Sequence, residues 1–206
     1  MARYTKSVCK LCRNESKKLF LKGTRCNSPK CAFEKRPYAT GMHGQSRKKQ
    51  SEYAIQLREK QKLRNTYLIT EKQFSRYFNM AEAKQGVTGT ILLQLLESRL
   101  DNIVFRSGLV FSRPQARQLI RHRHFLVNGR IVDIPSYRVK IGDNITVKAK
   151  STEHVKLLAA ESPISIAPNW MEVDKDKLSI NYRALPNRED LDPTIKEQLI
   201  IEYYSR

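Results

Sequence analysis

All four cysteines of this 206-residue chain fall within residues 9–31, in the stretch CKLCRNESKKLFLKGTRCNSPKC. Two residues separate the members of the first pair, four separate those of the second, and thirteen residues lie between the pairs. This spacing is typical of two short knuckles that close one tetrahedral four-sulfur metal site. The sequence therefore predicts a metal-bound N-terminal segment with four ligands: Cys9, Cys12, Cys26 and Cys31.

Other uses of the four thiols are less compatible with the sequence. The opening MARYTKSVCKLCR has no apolar stretch of the kind that directs export, so we expect reduced thiols rather than disulfides. A redox-active pair would need a strand before Cys9 and a helix after Cys12, and neither pattern is present. One structural zinc ion fits four thiolates best, and the surrounding lysines and arginines would offset their charge. An iron–sulfur cluster on the same ligands and unliganded thiols remain alternatives.

The charge of the chain indicates an anionic partner. It contains 39 Lys and Arg against 20 Asp and Glu, a net charge of +19. Residues 1–150 hold 32 basic and 10 acidic side chains, whereas residues 151–206 hold 7 and 10. Binding to a membrane surface would need an amphipathic basic helix or a lipid anchor, and a span needs about 20 apolar residues. Because the longest apolar run is TILLQLL, nucleic acid is the favoured partner.

Several helices are predicted by periodicity and capping signals. Helical spacing begins in SEYAIQLREKQKLRNTY. Thr70 with Gln73, and Ser112 with Gln115, form capping boxes that predict the starts of two further helices. Between them, TILLQLLESRLDNIVFRSG is predicted as one helix that ends at Gly108. The short connection from this helix to the next predicts a helix-turn-helix-like corner.

Strand signals follow the helices. Asn128-Gly129 between FLV and RIV is a strong hairpin signal, and YRVKI and NITVKAK are predicted as further strands. After residue 151, the pieces WMEV, LSINYR and LIIEYY are interpreted as strands or loops. The predicted fold class is α+β, with a zinc-stabilised N-terminal segment, a helical domain, and an inserted helix-turn-helix-like module with a small antiparallel sheet. The predicted domains are a zinc-binding segment and basic arm (1–44), a helical domain with C-terminal strands (45–91 plus 151–206), and an RNA-binding module (92–150).

The helix predicted in RPQARQLIRHR has two chemically different faces. At 100° per residue its apolar side chains project onto one arc, and its basic side chains project onto a neighbouring arc about 80° wide. The basic side chains are Arg113, Arg117 and Arg121. A row of arginines on a helix is often only a solvated face. The basic composition of the chain favours contact with nucleic acid.

Long motifs, in the same order through the chain, resemble the family of bacterial small-subunit ribosomal protein four. They are the four-cysteine N-terminus, RPYATGMHG, YAIQLREKQKLR, LESRLDNIVFRSG, SRPQARQLIRHRHFLVNGRIVDIPSYRVKIGD and LIIEYYSR. The resemblance implies a structural ribosomal protein of the cytoplasm that binds small-subunit ribosomal RNA and nucleates assembly of its 5′ domain. It also implies small-subunit ribosomal protein five as a neighbour and messenger RNA close by, where it enters the subunit. Neither a membrane nor a homo-oligomer is expected.

The same resemblance implies roles for individual residues. The four cysteines would be zinc ligands, as in those family members that keep them. RNA contacts are implied on the arm, on the helix after it and on the basic helix: Arg36, Tyr38, His43, Arg47, Lys48, Lys49, Arg58, Lys62, Arg113, Arg117, Arg121 and Arg123. Recognition of phosphates and of the shape of a folded junction is expected, because side chains cannot read the narrow major groove of A-form RNA.

Two other functional classes share parts of the pattern. The helix-and-hairpin module also resembles the RNA-binding domain of pseudouridine synthases, and SRLDN contains an Arg-Leu-Asp like their catalytic motif. However, Asp101 lies inside the module, and the 56 residues after residue 150 are too few for a catalytic domain. We therefore expect no enzyme, and expect Asp101 to pair with a nearby arginine. A zinc-bearing DNA-binding regulator is the other alternative, although no dimer seam or base-reading helix is evident.

Overall fold

The computed structural model describes residues 4–46, 49–160, 162 and 167–205. Its internal contacts define two compact units. The first contains the residues up to Leu93 together with those from Asp192 onward, and the second is Gln94–Leu191. The first unit is therefore built from two separate stretches of chain, whereas the second is one continuous stretch.

Nine α-helices lie within the described residues. They are α1 Cys9–Asn14, α2 Ala32–Lys35, α3 Glu52–Thr66, α4 Glu71–Glu82, α5 Thr88–Glu97, α6 Leu100–Arg106, α7 Arg113–Arg121, α8 Thr152–Ala160 and α9 Glu197–Tyr204. The predicted helix starts at Thr70 and Ser112 are confirmed as N-caps of α4 and α7, but neither side chain makes a capping hydrogen bond. No helix in this part of the chain has the length and apolar character needed to cross a bilayer.

Helix α9 completes the first unit by packing against α3. The side-chain amide of Gln56 donates to the Glu202 carboxylate at 3.0 Å, and the buried Lys60 ammonium lies 4.4 Å from the centre of the Tyr203 ring. This helix contains LIIEYY, so the prediction of a C-terminal strand there was wrong. Ile200 is buried and Tyr204, four residues later, stacks on an aromatic ring of α4. Such i, i+4 spacing places both on one helical face.

The second unit contains a five-stranded antiparallel sheet. Its strands are β1 Phe125–Val127, β2 Arg130–Ile131, β3 Asn144–Val147, β4 Met171–Asp174 and β5 Ser179–Tyr182. They lie in the order β2-β1-β3-β5-β4, and every neighbouring pair is antiparallel. The hairpin prediction is confirmed, because Asn128 and Gly129 both have positive φ, 49° and 77°, as a type I′ turn requires.

The sheet extends beyond the predicted RNA-binding module. WMEV and LSINYR were interpreted as strands or loops, and the structure forms strands there, β4 and β5. β5 pairs directly with β3, so residues after position 150 complete the sheet begun by the hairpin. The structure therefore divides the chain differently from the predicted limits of 92–150, because these pairings join strands distant in sequence.

The long helix predicted over TILLQLLESRLDNIVFRSG is broken in the structure. Arg99 has extended backbone, φ −72° and ψ 139°, and forms an isolated bridge with Arg138. Leu100 N–H donates to the Tyr137 carbonyl, and Val139 N–H donates to the Ser98 carbonyl, each at 2.9 Å. The chain leaves the helical conformation at residues 98 and 99 because these backbone groups pair with a distant segment. The same pairing accounts for YRVKI, which was predicted as a strand and contributes only this bridge.

The apolar core of the second unit lies between its helices and the sheet. Phe125, Ile145 and Ile180 come from three strands, and Ile120 of α7 belongs to the same cluster; all four are fully buried. Each such side chain contributes about 1.5–3 kcal/mol relative to an exposed one. This core holds α7 and the hairpin on a rigid base.

The N-terminal segment, residues 4–46, is called the cysteine module below. It contains an apolar cluster with four buried members, Leu11, Cys12, Leu19 and Leu21. Val8, Phe33 and Leu68 pack partly against them. The module therefore has a small cluster of its own, supplemented by one residue from beyond the module.

Candidate nucleic-acid interface

The basic arm at the C-terminal end of the cysteine module is anchored to α1. Arg13 Nε donates to the Tyr38 carbonyl at 2.9 Å, and its guanidinium lies 5.1 Å from the centre of the Tyr38 ring. Asn14 Oδ1 accepts hydrogen bonds from the amide and hydroxyl of Thr40, at 3.2 and 3.0 Å. These contacts fix the path of the arm to residue 40, so its side chains project from a positioned backbone.

Of the four predicted RNA contacts on the arm that the structure describes, three are solvent-exposed. Arg36, His43 and Lys49 are exposed, and Tyr38 is partly buried under the Arg13 guanidinium. Arg47 and Lys48 lie outside the described residues. The exposed cations are available for contact with phosphate.

The two predicted contacts on α3 differ. The Arg58 side chain is 55% exposed, and its nearest carboxylate oxygen, on Glu15, is 3.8 Å away. Lys62 instead donates to Glu59 at 2.7 Å and to the Thr194 carbonyl at 3.0 Å. Arg58 is free to reach a phosphate, while the Lys62 ammonium already has anionic and carbonyl partners.

Two of the three arginines on the predicted basic arc of α7 face into the second unit. Arg113 is buried; its Nε donates to Asn102 Oδ1 at 2.9 Å, and its guanidinium lies 4.5 Å from the centre of the Phe105 ring. Only 14% of the Arg117 side chain is exposed, and its guanidinium is 3.8 Å from the Asp101 carboxylate. These two residues tie α7 to α6, and their role in RNA contact stays a prediction.

Arg121 and Arg123, at the C-terminal end of α7, are exposed. Arg123 has a positive φ of 63° and donates to Asp133 at 3.2 Å, with 66% of its side chain exposed. An ion pair this exposed contributes about 0–1 kcal/mol, so phosphate can replace Asp133 at little cost. Of the predicted α7 contacts, these two are the best placed for RNA.

Further exposed cations lie on and near the sheet, which the sequence analysis did not assign: Arg130, Arg138, Lys140 and Lys150. The signal for two of them was present in YRVKI, where Arg138 and Lys140 alternate with apolar residues. Alternation of this kind places basic side chains on one face of an extended segment. The structure confirms this alternation, since Val139 is buried and both cations are exposed.

Asp101 is a structural residue. Arg99 holds its carboxylate with two hydrogen bonds, from Nε at 2.9 Å and from Nη2 at 2.6 Å, and both residues are buried. This confirms the expectation that Asp101 pairs with a nearby arginine. A carboxylate engaged in this way within the core has no access to a substrate.

The four cysteine thiols are free and belong to two separate knuckles of the cysteine module. Cys9 and Cys12 lie on α1; Cys26 lies in a 3-10 turn and Cys31 immediately precedes α2. Burial raises the pKa of Cys12, and the nearby thiols of the other three cysteines raise it further.

Backbone amides also point at the sulfurs. Lys22 N–H donates to Cys26 Sγ at 3.4 Å, and a backbone hydrogen bond from Leu19 to Cys12 partly offsets the effect of burial on its pKa. As the side chains stand, the described ranges contain no group of three or more His, Cys, Asp or Glu arranged to hold a metal ion.

The comparisons with known proteins agree along the whole chain. Residues 3–97 match the family described as Ribosomal protein S4/S9 N-terminal domain, and residues 98–145 match the S4 domain. The chain is 56% identical to small ribosomal subunit protein uS4 of Acetivibrio thermocellus, with all of both chains covered. It is 55% identical to uS4A of Alkaliphilus oremlandii and 54% identical to uS4 of Gloeobacter violaceus, again with full coverage. The chain belongs to the uS4 family.

Membership of the uS4 family decides between the functional classes. The relatives in this family are named as proteins of the small ribosomal subunit. Their names and the buried Arg99–Asp101 pair both favour a structural ribosomal protein. Neither the pseudouridine synthase alternative nor the DNA-binding regulator is supported.

Proposed function

We propose that this chain is a structural protein of the small ribosomal subunit and binds small-subunit ribosomal RNA directly. The observation that carries this proposal is the set of exposed cations held on a rigid base at the end of α7 and along the sheet. Five exposed cations lie in the segment that matches the S4 domain: Arg121, Arg123, Arg130, Arg138 and Lys140.

Binding uses positioned charge. The apolar core beneath α7 and β1 fixes the backbone, so exposed cations lose little conformational freedom when they meet phosphate. Each phosphate neutralised releases counterions, so the affinity falls steeply with salt concentration. Selectivity comes from matching a fixed pattern of cations to a folded RNA, because phosphates alone carry no sequence information.

Two measurements test this function. On a sucrose gradient of a cell lysate, the chain is expected to migrate with small ribosomal subunits; migration at the monomer position would contradict the proposal. In filter-binding competition, folded small-subunit ribosomal RNA is expected to displace bound RNA far more effectively than duplex DNA of random sequence. Equal competition by the DNA would instead support a general nucleic-acid-binding protein.

The finer aspects of the function rest on the family resemblance. They are a role in nucleating the 5′ domain, a contact with small-subunit ribosomal protein five, and a position beside the messenger RNA where it enters the subunit. Hydroxyl-radical footprinting on full-length small-subunit RNA tests the first. Protection confined to the 5′ domain is expected, and protection confined to another domain would exclude it.

Zinc is proposed as one structural ion held by Cys9, Cys12, Cys26 and Cys31. The support is the chemistry of the donor set: four reduced sulfurs, three of them buried, with backbone N–H groups directed at two. The thiols of the other three cysteines lie close enough to Cys12 to raise its pKa, so the two knuckles bring the four donors near one another. Bound zinc would link α1 to the turn before α2, and so hold the anchored arm.

Native mass spectrometry tests the metal. The intact protein is expected to lose the mass of one zinc after treatment with a strong chelator. An apo mass both before and after treatment, or a mass corresponding to two or more irons, would exclude this assignment. The RNA-binding proposal is unaffected by either result, because the cations of the second unit do not depend on the cysteines.

A further inference from the structure

Three of the four histidines of this chain lie together in the second unit. The ring centres of His122 and His124 are 6.1 Å apart, and those of His124 and His154 are 6.2 Å apart. They come from three different elements: the C-cap of α7, the residue before β1, and the first turn of α8. Sequence patterns gave no sign of the cluster because His154 is 30 residues from His124.

The cluster is held by backbone and side-chain bonds. His124 N–H donates to the Leu119 carbonyl at 3.2 Å, and Lys148 N–H donates to the His124 carbonyl at 2.9 Å. His124 Nδ1 lies 2.7 Å from the Ser151 hydroxyl. The Ser151 contact fixes the plane of the imidazole, and the His124 side chain is only partly buried.

The charged groups around these rings are mainly positive. Lys148 lies beside His124, Arg121 and Arg123 flank His122 in sequence, and Glu153 precedes His154. Within the described part of the chain, no salt bridge joins any of the three imidazoles to a carboxylate. His122 and His154 are exposed. A site with several cationic or protonatable donors and no paired acid is suited to an anion.

We propose that His122, His124 and His154, together with Lys148, form a phosphate-contact site whose affinity for RNA depends on protonation of the imidazoles. The proposal rests on the RNA-binding function above and deepens it. The ligand is the phosphodiester backbone of the bound RNA. Neutral imidazoles donate one hydrogen bond each, whereas imidazolium donates from both nitrogens and adds a charge.

The electrostatics give the direction of the pH dependence. In the free protein, burial and the neighbouring His122, His154 and Lys148 lower the pKa of His124. A phosphate placed among these groups opposes the repulsion and raises the pKa, so binding takes up protons. RNA affinity therefore increases as pH falls through the range in which histidine titrates.

The stability of the free protein depends on pH in the opposite direction to RNA affinity. Because the folded pKa of His124 lies below its unfolded value, the unfolded chain binds more protons near that pH. Acidification therefore destabilises the free fold while it strengthens RNA binding. A general acid-induced loosening would weaken both, so the two measurements together separate the proposal from a structural effect.

The test measures the affinity of the full chain for a small-subunit ribosomal RNA transcript at pH 8.0 and pH 6.0, at constant ionic strength. If RNA raises one imidazole pKa by about one unit, affinity increases about fivefold between these values. The variant H122Q/H124Q/H154Q replaces each imidazole with an amide that cannot gain a proton, and its affinity at pH 8.0 serves as the reference for its own pH profile. It should lose most of the pH dependence and show a smaller salt slope at pH 6.0. Urea unfolding at both pH values verifies that it is folded.

His43 provides the matched control because it is the remaining histidine of the chain. H43Q should keep the pH dependence, whatever its affinity at pH 8.0. A flat profile in the wild type, or a pH dependence lost in H43Q and kept in the triple variant, would overturn the proposal. Titration of the RNA itself is common to all variants and cancels in the comparison. Absence of RNA binding at pH 8.0 would instead refute the function on which the proposal rests.

Discussion

The cysteine module and the continuous unit Gln94–Leu191 are both rich in arginine and lysine, but they keep their shape by different means. The module has a buried cluster of four side chains, and polar contacts such as Arg13 with Tyr38 fix its arm. The second unit has a core that extends from α6 to β5. It also contains buried ion pairs.

This difference shows which basic residues are exposed for RNA binding and which support the fold. On the arm, cations such as Arg36 remain exposed, because so little core is present to engage them. In the second unit, Arg99 and Arg113 are buried and bonded to α6, while Arg121 at the end of the same basic helix is exposed. A large net charge therefore overstates the number of cations available to RNA.

The largest expected effect is on the core of the second unit. D101N breaks the buried ion pair with Arg99 by removing its carboxylate, which costs about 3–5 kcal/mol of unfolding free energy. D133N, which breaks the exposed pair with Arg123, should cost about 0–1 kcal/mol. Urea titrations followed by circular dichroism measure both. Similar small losses for the two variants would show that the second unit does not depend on its buried pair.

The next test removes residues 1–44, which include nearly all of the cysteine module. Residues 1–44 carry 11 basic and 2 acidic side chains, so a chain that starts at Gln45 should bind ribosomal RNA about 100-fold more weakly at moderate salt. It should still unfold cooperatively, because the core of the second unit is intact. Filter binding and circular dichroism measure the two properties. A chain that fails to fold would show that the module is part of the core of the first unit.

Chelation of the proposed zinc gives a milder version of the same change. The disordered arm would keep its charge and lose only its fixed position, so affinity should fall by less than in the truncated chain. Equal losses would mean that position, not charge, determines the contribution of the arm.

A matched pair of substitutions on α7 separates folding from binding. R113Q should lower the unfolding free energy by about 1.5–3 kcal/mol, because Asn102 and Phe105 lose a charged partner. Its RNA affinity should change less than twofold. R121Q should leave stability within about 0.5 kcal/mol, weaken RNA binding about fivefold, and reduce the salt slope by about one phosphate contact. The assignment of Arg113 to folding and Arg121 to binding would be wrong if R113Q reduced RNA affinity as much as R121Q without a loss of stability.

The smallest expected effect concerns the contact between the module and the C-terminal stretch. Burial by itself would raise the pKa of Asp192. Hydrogen bonds from Thr194 and Lys17 have a larger combined effect in the opposite direction, so the pKa is lowered to about 2. The folded pKa is below the unfolded value, so this stabilisation is present above about pH 4 and is lost between pH 4 and 2. Since the pair is partly exposed, its contribution is below about 1 kcal/mol. In an acid titration, the unfolding free energy of D192N should decline less steeply over this range. A decline as steep as that of the wild type would mean that other carboxylates cause it.

Local signals predicted much of this fold. The turn at Asn128 and Gly129 and the start of α4 after Thr70 depend on residues close in sequence, and both were recovered. The break at Arg99 and the helical state of LIIEYY were missed. The first is caused by pairing with Tyr137 and Val139, and the second by packing against α3. Short apolar runs do not by themselves distinguish helix from strand.

The candidate site was less predictable than the fold. Periodicity placed Arg113 and Arg121 on one face of α7 but could not show that Asn102 and Phe105 lie beside Arg113. The Gln115 side chain was expected to close a capping box and instead accepts from Phe111 N–H at 2.9 Å. Exposure depends on neighbours from other helices, which no single-helix projection contains.

The division of the first unit into two stretches has a consequence for synthesis of the chain. Contacts that close this unit join residues far apart, as between Lys17 and Asp192 or Gln56 and Glu202. Because translation proceeds from the N-terminus and domains fold as they emerge, the first unit cannot be completed until α9 has left the exit tunnel. Gln94–Leu191 has all its strands in one continuous stretch and can close earlier. The unit whose synthesis starts first is thus completed last, because Lys17 and Gln56 meet their partners only when the C-terminal stretch has emerged.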